Sequence, residues 1–362
     1  MKGLILSGGR GTRLRPLTYT SAKQLVPVAN KPVLFFGIES LVAAGITELG
    51  IVVGDTRAEI EAAVGDGSRF GARVTYLEQD APRGLAHAVM IAEEFMAGED
   101  FVMYLGDNLI AGGITGLVEE FKQRRPNAMI LLAEVPNPQQ FGVAELEEDN
   151  GDGPVRVKRL VEKPPQPRSN LALVGVYLFD RNIFDSVKRI QPSARGELEI
   201  TDAIQDLIDR GFEVHPHKVQ GWWKDTGKLD DMLEANRIVL DTMPLTGAGS
   251  ARLDAASRIE GRVELGAGVE LIDAKVRGPV IVGAGTRLEH AFIGPYTSIG
   301  ESCTLAHCEV ENSIILADSQ IRDVDRRIDG SLIGRGVRIV KSKLKPRAHR
   351  FMLGDNSEVE IV

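Results

Sequence analysis

The chain has 362 residues, too many for one ordinary domain, and its 43% hydrophobic and 26% charged residues describe a soluble globular protein with ample core. A net charge of −8 argues against nucleic-acid and membrane-surface partners, so any cationic site must be local. Two cysteines, Cys303 and Cys308, make neither a disulfide framework nor a four-ligand zinc pattern.

The strand-type run Gly3–Ser7 opens the chain with no signal-peptide core before it. The longest apolar stretch, residues 33–46, is interrupted by Glu39, and a cytoplasmic protein is expected. Next comes a long loop, "SGGRGTRLRPLTYTSAKQLVPVANKP", rich in glycine and cations. Strand-like runs then alternate with helix-like ones. The strands are Leu49–Gly54, Arg73–Glu78, Phe101–Leu105 and Ala128–Val135; the helices are Lys31–Ala44, Arg57–Val64, Gly84–Met96 and Ile114–Arg124. Such alternation implies βαβ units and a Rossmann-like α/β fold with a mostly parallel sheet.

Between residues 141 and 180 strands follow one another (Val143–Leu146, Val155–Val161, Leu173–Leu178), which makes the sheet mixed. Helices return at Arg181–Ile190, Glu199–Asp209 and Leu229–Leu240. The domain is expected to span 1–241, with a linker at 242–257 where small and turn residues replace the periodic pattern. Beyond it aliphatic residues recur six apart, as at Ile259, Leu265 and Leu271 or Ile293, Ile299 and Leu305. Glycine often follows them, at Gly266, Gly283, Gly294, Gly300 and Gly334. This period predicts a short parallel β-helix over 258–342. Its breaks in phase, 288 to 293 and 316 to 333, imply loops, and 343–362 form an irregular tail.

For the opening loop, a Walker A reading fails for want of Gly-Lys-Ser/Thr. A dinucleotide fingerprint fails because Leu14 stands at the third glycine and Pro16 blocks an immediate helix. A flexible turn and a phosphate cradle remain. Glycines admit anionic oxygens to the backbone, and Arg13, Arg15 and Lys23 supply positive charge.

"LSGGRGTRLRPLT" with "KQLVPVANKPVL" resembles the signature of the sugar-nucleotide pyrophosphorylases, nearest the branch that couples dTTP to glucose 1-phosphate. The resemblance covers nearly all of 1–240 and recurs in "EQDAPRGLAHA", "YLGDN", "FGVAEL", "LVEKPPQPRSNLALVGVYLFD", "RGELEITDAI" and "WWKDTG". A left-handed β-helix after the catalytic domain also suits several branches and would make this a long form. The resemblance implies in-line attack of a sugar-1-phosphate oxygen on the α-phosphorus of a nucleoside triphosphate, with Mg2+ as cofactor. By it, Gly8, Gly9, Gly11, Thr12 and Arg13 cradle the triphosphate, with Arg15 and Lys23 helping. Arg13, Lys23 and Lys163 are its catalytic cations. Gln24 and Gln79 read the base above a platform of Pro82, Gly84 and Leu85.

The sugar phosphate falls to Asp107, Gly142, Glu162, Lys163, Gly175, Arg195 and Trp223, and the metal to Asp107 and Asp225. His87 has no expected role, and Phe141 stands where the family usually has tyrosine. UTP is the nearest rival to dTTP. Two other classes are an acyltransferase using His290 or His307 of the β-helix and an inactive regulatory paralogue. The β-helix is expected to assemble a homo-oligomer, a trimer first and a tetramer second.

Overall fold

The computed structural model describes residues 1–9, 11–19, 21–147, 155–245, 247–342, 349 and 351–360. In chain order, β1 (Lys2–Leu6) is followed by the short β2 (Pro27–Val28) and β3 (Lys31–Pro32), then α1 (Val33–Ala43), β4 (Glu48–Val53), α2 (Arg57–Val64) and β5 (Arg73–Glu78). Helices α3 (Leu85–Ile91) and α4 (Glu93–Met96) precede β6 (Phe101–Leu105), β7 (Asn108–Ile110), α5 (Thr115–Arg124) and β8 (Ala128–Glu134). Then come β9 (Gly142–Leu146), β10 (Val157–Glu162), β11 (Leu171–Phe179), α6 (Ile183–Arg189) and α7 (Ile200–Asp209). The series closes with β12 (Val214–Lys218), β13 (Trp223–Asp225) and α8 (Leu229–Thr242). Two compact units share these elements. One comprises Met1–Arg10, Ser21–Leu25 and Val33–Asp225; the other comprises Gly11–Thr20, Val26–Pro32 and Thr226–Val362.

The first unit is built on a nine-stranded sheet ordered β10-β9-β11-β6-β1-β4-β5, with β8 paired to β11 and β12 to β8. Strands β6, β1, β4 and β5 run parallel, whereas β11 is antiparallel to β6, β8 and β9. Every residue of β1 is buried. Alternation sends Leu4 and Leu6 into one core, with Phe101, Met103, Ile130 and Phe179. Ile5 enters the opposite core, with Leu34, Ile38, Ile51 and Tyr104. A strand covered on both faces must be apolar throughout, which is why this central strand lacks the alternation of the edge strand β5.

The expected helix Gly84–Met96 is two helices, because the α-helical ladder breaks at Ala92. Strand β12 and the antiparallel pair β7–β13 carry too few apolar residues in sequence to be expected. In that pair Asp225 is the strand partner of Asn108.

In the second unit, strands after residue 252 stack in parallel as three sheets of six, five and four strands. The register advances by one coil at a time, Val263 pairing with Val280 and Val280 with Thr297. Leu265, Leu271, Val276, Val282, Leu288, Ile293, Ile299 and Leu305 fill the interior, and so do both cysteines. Left-handed φ values mark the corners at Asp273, His290, His307 and Asp323. This arrangement fits a left-handed β-helix.

A coil takes 17 residues rather than three sixes, as the Val263–Val280 step shows. The five-residue step from 288 to 293 is therefore a corner and not the expected loop. The steps from Arg252 to Glu270, Ile314 to Leu332 and Gln320 to Arg338 take one residue more, and those from Ser298 to Ile314 and Thr304 to Gln320 one fewer. Glycine follows the aliphatic residue because the next coil lies too close for a side chain. A Cβ on Gly283 would stand 2.4 Å from Glu301 N, and one on Gly300 2.5 Å from Ala317 N. Stacking begins at Arg252–Leu253, which pairs with Glu270–Leu271. His290 and His307 occupy equivalent corners and stack with ring centres 4.8 Å apart, so the coil period accounts for their proximity. The described residues from 349 to 360 have no regular structure.

Candidate active site

Chain leaving the carboxyl ends of β1, β5 and β6 supplies the first group of side chains, at the edge where α/β sheets bind ligands. Ser7 N still bonds to Val52 O at 2.8 Å and Gly106 N to Leu6 O at 3.0 Å, so Gly8 and Gly9 lie just past the sheet. A Cβ on Gly8 would meet Gln79 Oε1 at 2.8 Å, and one on Gly9 would approach Gln24 Nε2 at 3.9 Å. The two glutamines expected to read the base thus flank the two glycines expected to hold phosphate. Gln24 is 3% exposed, and its buried Oε1 has no hydrogen-bond partner among the described residues.

Gln79 Nε2 lies 3.2 Å from His87 Nδ1. Burial holds the His87 ring below the ordinary imidazole range, Asp80 pulling the other way and Arg83 adding to the depression. A neutral ring is what an Nδ1 acceptor needs. Gly84 has φ +104, and a Cβ there would strike Leu198 O at 2.4 Å. Only glycine fits that backbone crossing, which also fixes Leu85 at the start of α3; Pro82 is exposed.

Lys23, Asp107 and Asp225 form the next group. The Lys23 ammonium is hydrogen-bonded to Asp107 Oδ2 and lies 3.7 Å from Asp225 Oδ1. Three distant parts of the sequence therefore converge on one point. Burial pushes the Asp107 carboxyl upward, but Lys23, with help from Asn108 Nδ2 at 2.9 Å, outweighs it and holds the group below the usual carboxylate range.

Asn108, not singled out in the sequence, ties this group together. It is 3% exposed, and its Oδ1 accepts from Trp223 Nε1 at 2.6 Å and from Gly175 N at 3.2 Å. Gly175 is glycine because a Cβ would lie 2.7 Å from the Asn108 side chain. Trp223 donates its indole N–H to Asn108 and sets its ring edge-on to Phe141, with centres 5.6 Å apart.

A third group gathers at the end of β10. Glu162 receives Arg195 Nη2 at 3.1 Å and Thr201 Oγ1 at 3.1 Å. Lys163 Nζ lies 3.4 Å from Glu162 Oε1, on a residue with φ +41 whose N–H bonds to Phe141 O at 3.0 Å. A Cβ on Gly142 would meet Thr201 Cγ2 at 2.5 Å and Glu162 Oε2 at 3.2 Å. Arg195 also bonds to Glu199 at 2.8 Å. Burial opposes the Arg195 charge, yet Glu199, Glu197 and Glu162 raise its pKa further. Glu162, Lys163, Arg195 and Glu199 line a cleft of about 740 Å³. Thr201, three places before the buried Ile204 on α7, is not singled out by the sequence, and its hydroxyl is what ties α7 to Glu162.

Gly11, Thr12, Arg13 and Arg15 belong to the second unit. Gly11, with φ +61, caps a single 3-10 turn, Thr12–Leu14, in which Thr12 and Arg13 are exposed. The Arg15 guanidinium rests on the Tyr19 ring, 4.6 Å from its centre.

A nucleotidyl transferase family model matches residues 2–242, and so spans every residue of these groups. The chain belongs to that family. The nucleotidyl transferase is 54% identical over its whole length to a glucose-1-phosphate thymidylyltransferase of Streptomyces antibioticus, covering 99% of it. It is 47% identical over its whole length to a low-salt glycan biosynthesis nucleotidyltransferase of Haloferax volcanii, covering 100% of that protein. A Bacillus anthracis crystal structure titled as a glucose-1-phosphate thymidylyltransferase, in complex with sucrose, is also similar. It shares 36% identity and a TM-score of 0.62, over 67% of this chain and 96% of that one.

For this nucleotidyl transferase the donor set speaks to the metal. Asp107 and Asp225 offer hard oxygen ligands, and both face one cation already, the Lys23 ammonium. Among the described residues no cluster of three or more His, Cys, Asp and Glu could hold a metal. Two carboxylates suit an ion that takes its remaining ligands from water and phosphate. No helix among the described residues is long and apolar enough to cross a membrane.

Proposed function

We propose that this nucleotidyl transferase joins dTTP and glucose 1-phosphate into dTDP-glucose and pyrophosphate. The observation that carries the reading is the convergence of Lys23, Asp107 and Asp225 past the end of the parallel strands. A phosphate oxygen of glucose 1-phosphate forms a bond to the α-phosphorus of dTTP. The bond from that phosphorus to the bridging oxygen breaks, and pyrophosphate leaves with the oxygen. No covalent intermediate on the protein is needed, so positioning and charge supply the rate.

Lys163 and Arg195 hold the attacking phosphate, and Glu162 accepts from sugar hydroxyls. Gly8, Gly9, Gly11, Thr12, Arg13 and Arg15 hold the triphosphate. Arg13 and Lys23 neutralise charge that builds up on it. Asp107 and Asp225 would hold Mg2+, which when bound supplies charge neutralisation for the approaching phosphates. The free acceptor on Gln24 suits the N–H of a thymine or uracil edge, and the Gln79 amide suits its carbonyl.

UTP is the second reading, because dTTP differs from it by a methyl and a hydroxyl and one methyl is worth only ~1–3 kcal/mol of discrimination. A panel of dTTP, UTP, ATP, GTP and CTP with glucose 1-phosphate, read by pyrophosphate release, tests both. Fastest release with dTTP is expected. Preference for a purine triphosphate, or no release with any of the five, would contradict the proposal.

A further inference from the structure

Two stretches of the opening loop, one on each side of Lys23 and Gln24 in sequence, are held by the C-terminal half of the chain. The second stretch is the hairpin β2–β3, whose tip has Ala29 at φ 47 and Asn30 at φ 59, as a two-residue hairpin turn requires. Asn30 Nδ2 donates to Ile299 O of the β-helix at 2.7 Å. Ala29 N donates to Asn236 Oδ1 at 2.8 Å. Asn236 lies on α8 and is fully buried. Its Oδ1 also accepts from Ser298 Oγ at 2.6 Å, and its Nδ2 donates to Tyr296 O at 2.9 Å. Such a satisfied buried network fixes one geometry.

The first stretch sits at the far end of the coils. Gly266, Gly283, Gly300 and Gly334 hold equivalent places after residues of one sheet, with Leu316 at that place on the coil between the last two. Backbone of the next coil lies against the first three. Against Gly334, on the last coil of that sheet, lies the side chain of Leu17, with Cδ2 3.1 Å from where a Cβ would be. Leu17 therefore covers the end of the stack, as a cap must in a repeat fold. Beside it, Pro16 lies against Gly354, 3.6 Å from where a Cβ would be, and Asn356 Nδ2 donates to Tyr19 Oη at 2.8 Å. Tyr19 in turn carries Arg15 on its ring.

We infer that the β-helix and C-terminal tail position the opening loop for the triphosphate, Asn356 and Tyr19 acting as positioning residues for Arg15 and the turn that bears Arg13. The inference rests on the proposed role of that loop. It gives the coils a part in the reaction itself, as the mould of the phosphate loop.

The test compares Tyr19→Phe, Asn356→Ala, the double variant and Asn30→Ala with the full-length protein. Tyr19→Phe keeps the ring under Arg15 and removes only the hydroxyl. Loss of one hydrogen bond predicts that each single variant raises KM for dTTP about threefold to tenfold. KM for glucose 1-phosphate and Tm should stay put. The Tyr19–Asn356 double variant should be no worse than either single, because both remove the same bond. Hydrogen exchange across residues 11–31 should quicken in Asn356→Ala, a readout that needs no turnover. Unchanged KM for dTTP with unchanged exchange, or additive effects in the double variant, would overturn the inference. If the wild type releases no pyrophosphate from dTTP, the proposed function fails, and the exchange measurement alone decides whether the tail holds the loop.

Discussion

If Gln79 reads the base edge as proposed, its amide must be kept from turning over. The His87 ring, neutral and with Nδ1 facing Gln79 Nε2 at 3.2 Å, is placed to do this. Replacing His87 with Ala is expected to cost about threefold to tenfold in the ratio of kcat/KM for dTTP over ATP, the worth of one neutral hydrogen bond. The pH dependence has a definite sign. Because folding lowers the His87 pKa, the ring contributes its full stability above its unfolded value, about 6.5. That contribution is lost as pH falls from there toward the folded value. Base selectivity follows the native ring itself, so it should decline as pH falls through the lowered folded value in the wild type and not in His87→Ala.

His87 shows where sequence reading stopped. A lone histidine on an amphipathic helix gives no sign that a glutamine eight residues earlier lies beside it. Asn108 is the parallel case: "YLGDN" draws attention to its aspartate, while the asparagine's three partners come from β11, from Trp223 and from Asp107 itself.

At the scale of elements, local pattern carried far where one physical cause acts repeatedly. The aliphatic-glycine dipeptides were legible because each coil obeys the same packing, and the structure supplies the reason in the Cβ distance of 2.4 Å at Gly283. The obstructing atom is backbone, so relief requires the coils to part. Gly283→Ala should destabilise the second unit by ~1–3 kcal/mol, as overpacking does, read as a lower Tm. A transition at the wild-type temperature would show that the coils yield more readily than their geometry implies. Patterns failed where partners are distant and strands short. The three residues of β13 are polar or aromatic and half-buried, and only pairing with β7 makes them a strand. That pairing carries Asp225 to its place. A six-residue period likewise cannot reveal a 17-residue coil, in which one corner uses five.

For the whole molecule, the opening loop is shared between two compact units, with Gly8, Gly9, Lys23 and Gln24 in one and Gly11 to Arg15 in the other. No reading of the sequence in chain order would divide it so, because the division follows contacts made by residues 226–362. The composition that suggests a phosphate role for the loop does not depend on this division, since glycines and cations suit phosphate wherever the backbone comes to rest. The central claim is that Asp107 and Asp225 serve one reaction centre with Lys23. It is tested most directly by pyrophosphate release from dTTP and glucose 1-phosphate in Asp107→Asn and Asp225→Asn. Each substitution keeps the size of the side chain and removes its charge. The account expects kcat to fall about a hundredfold or more in each, with Tm near wild type. Turnover at the wild-type rate in either variant would contradict it.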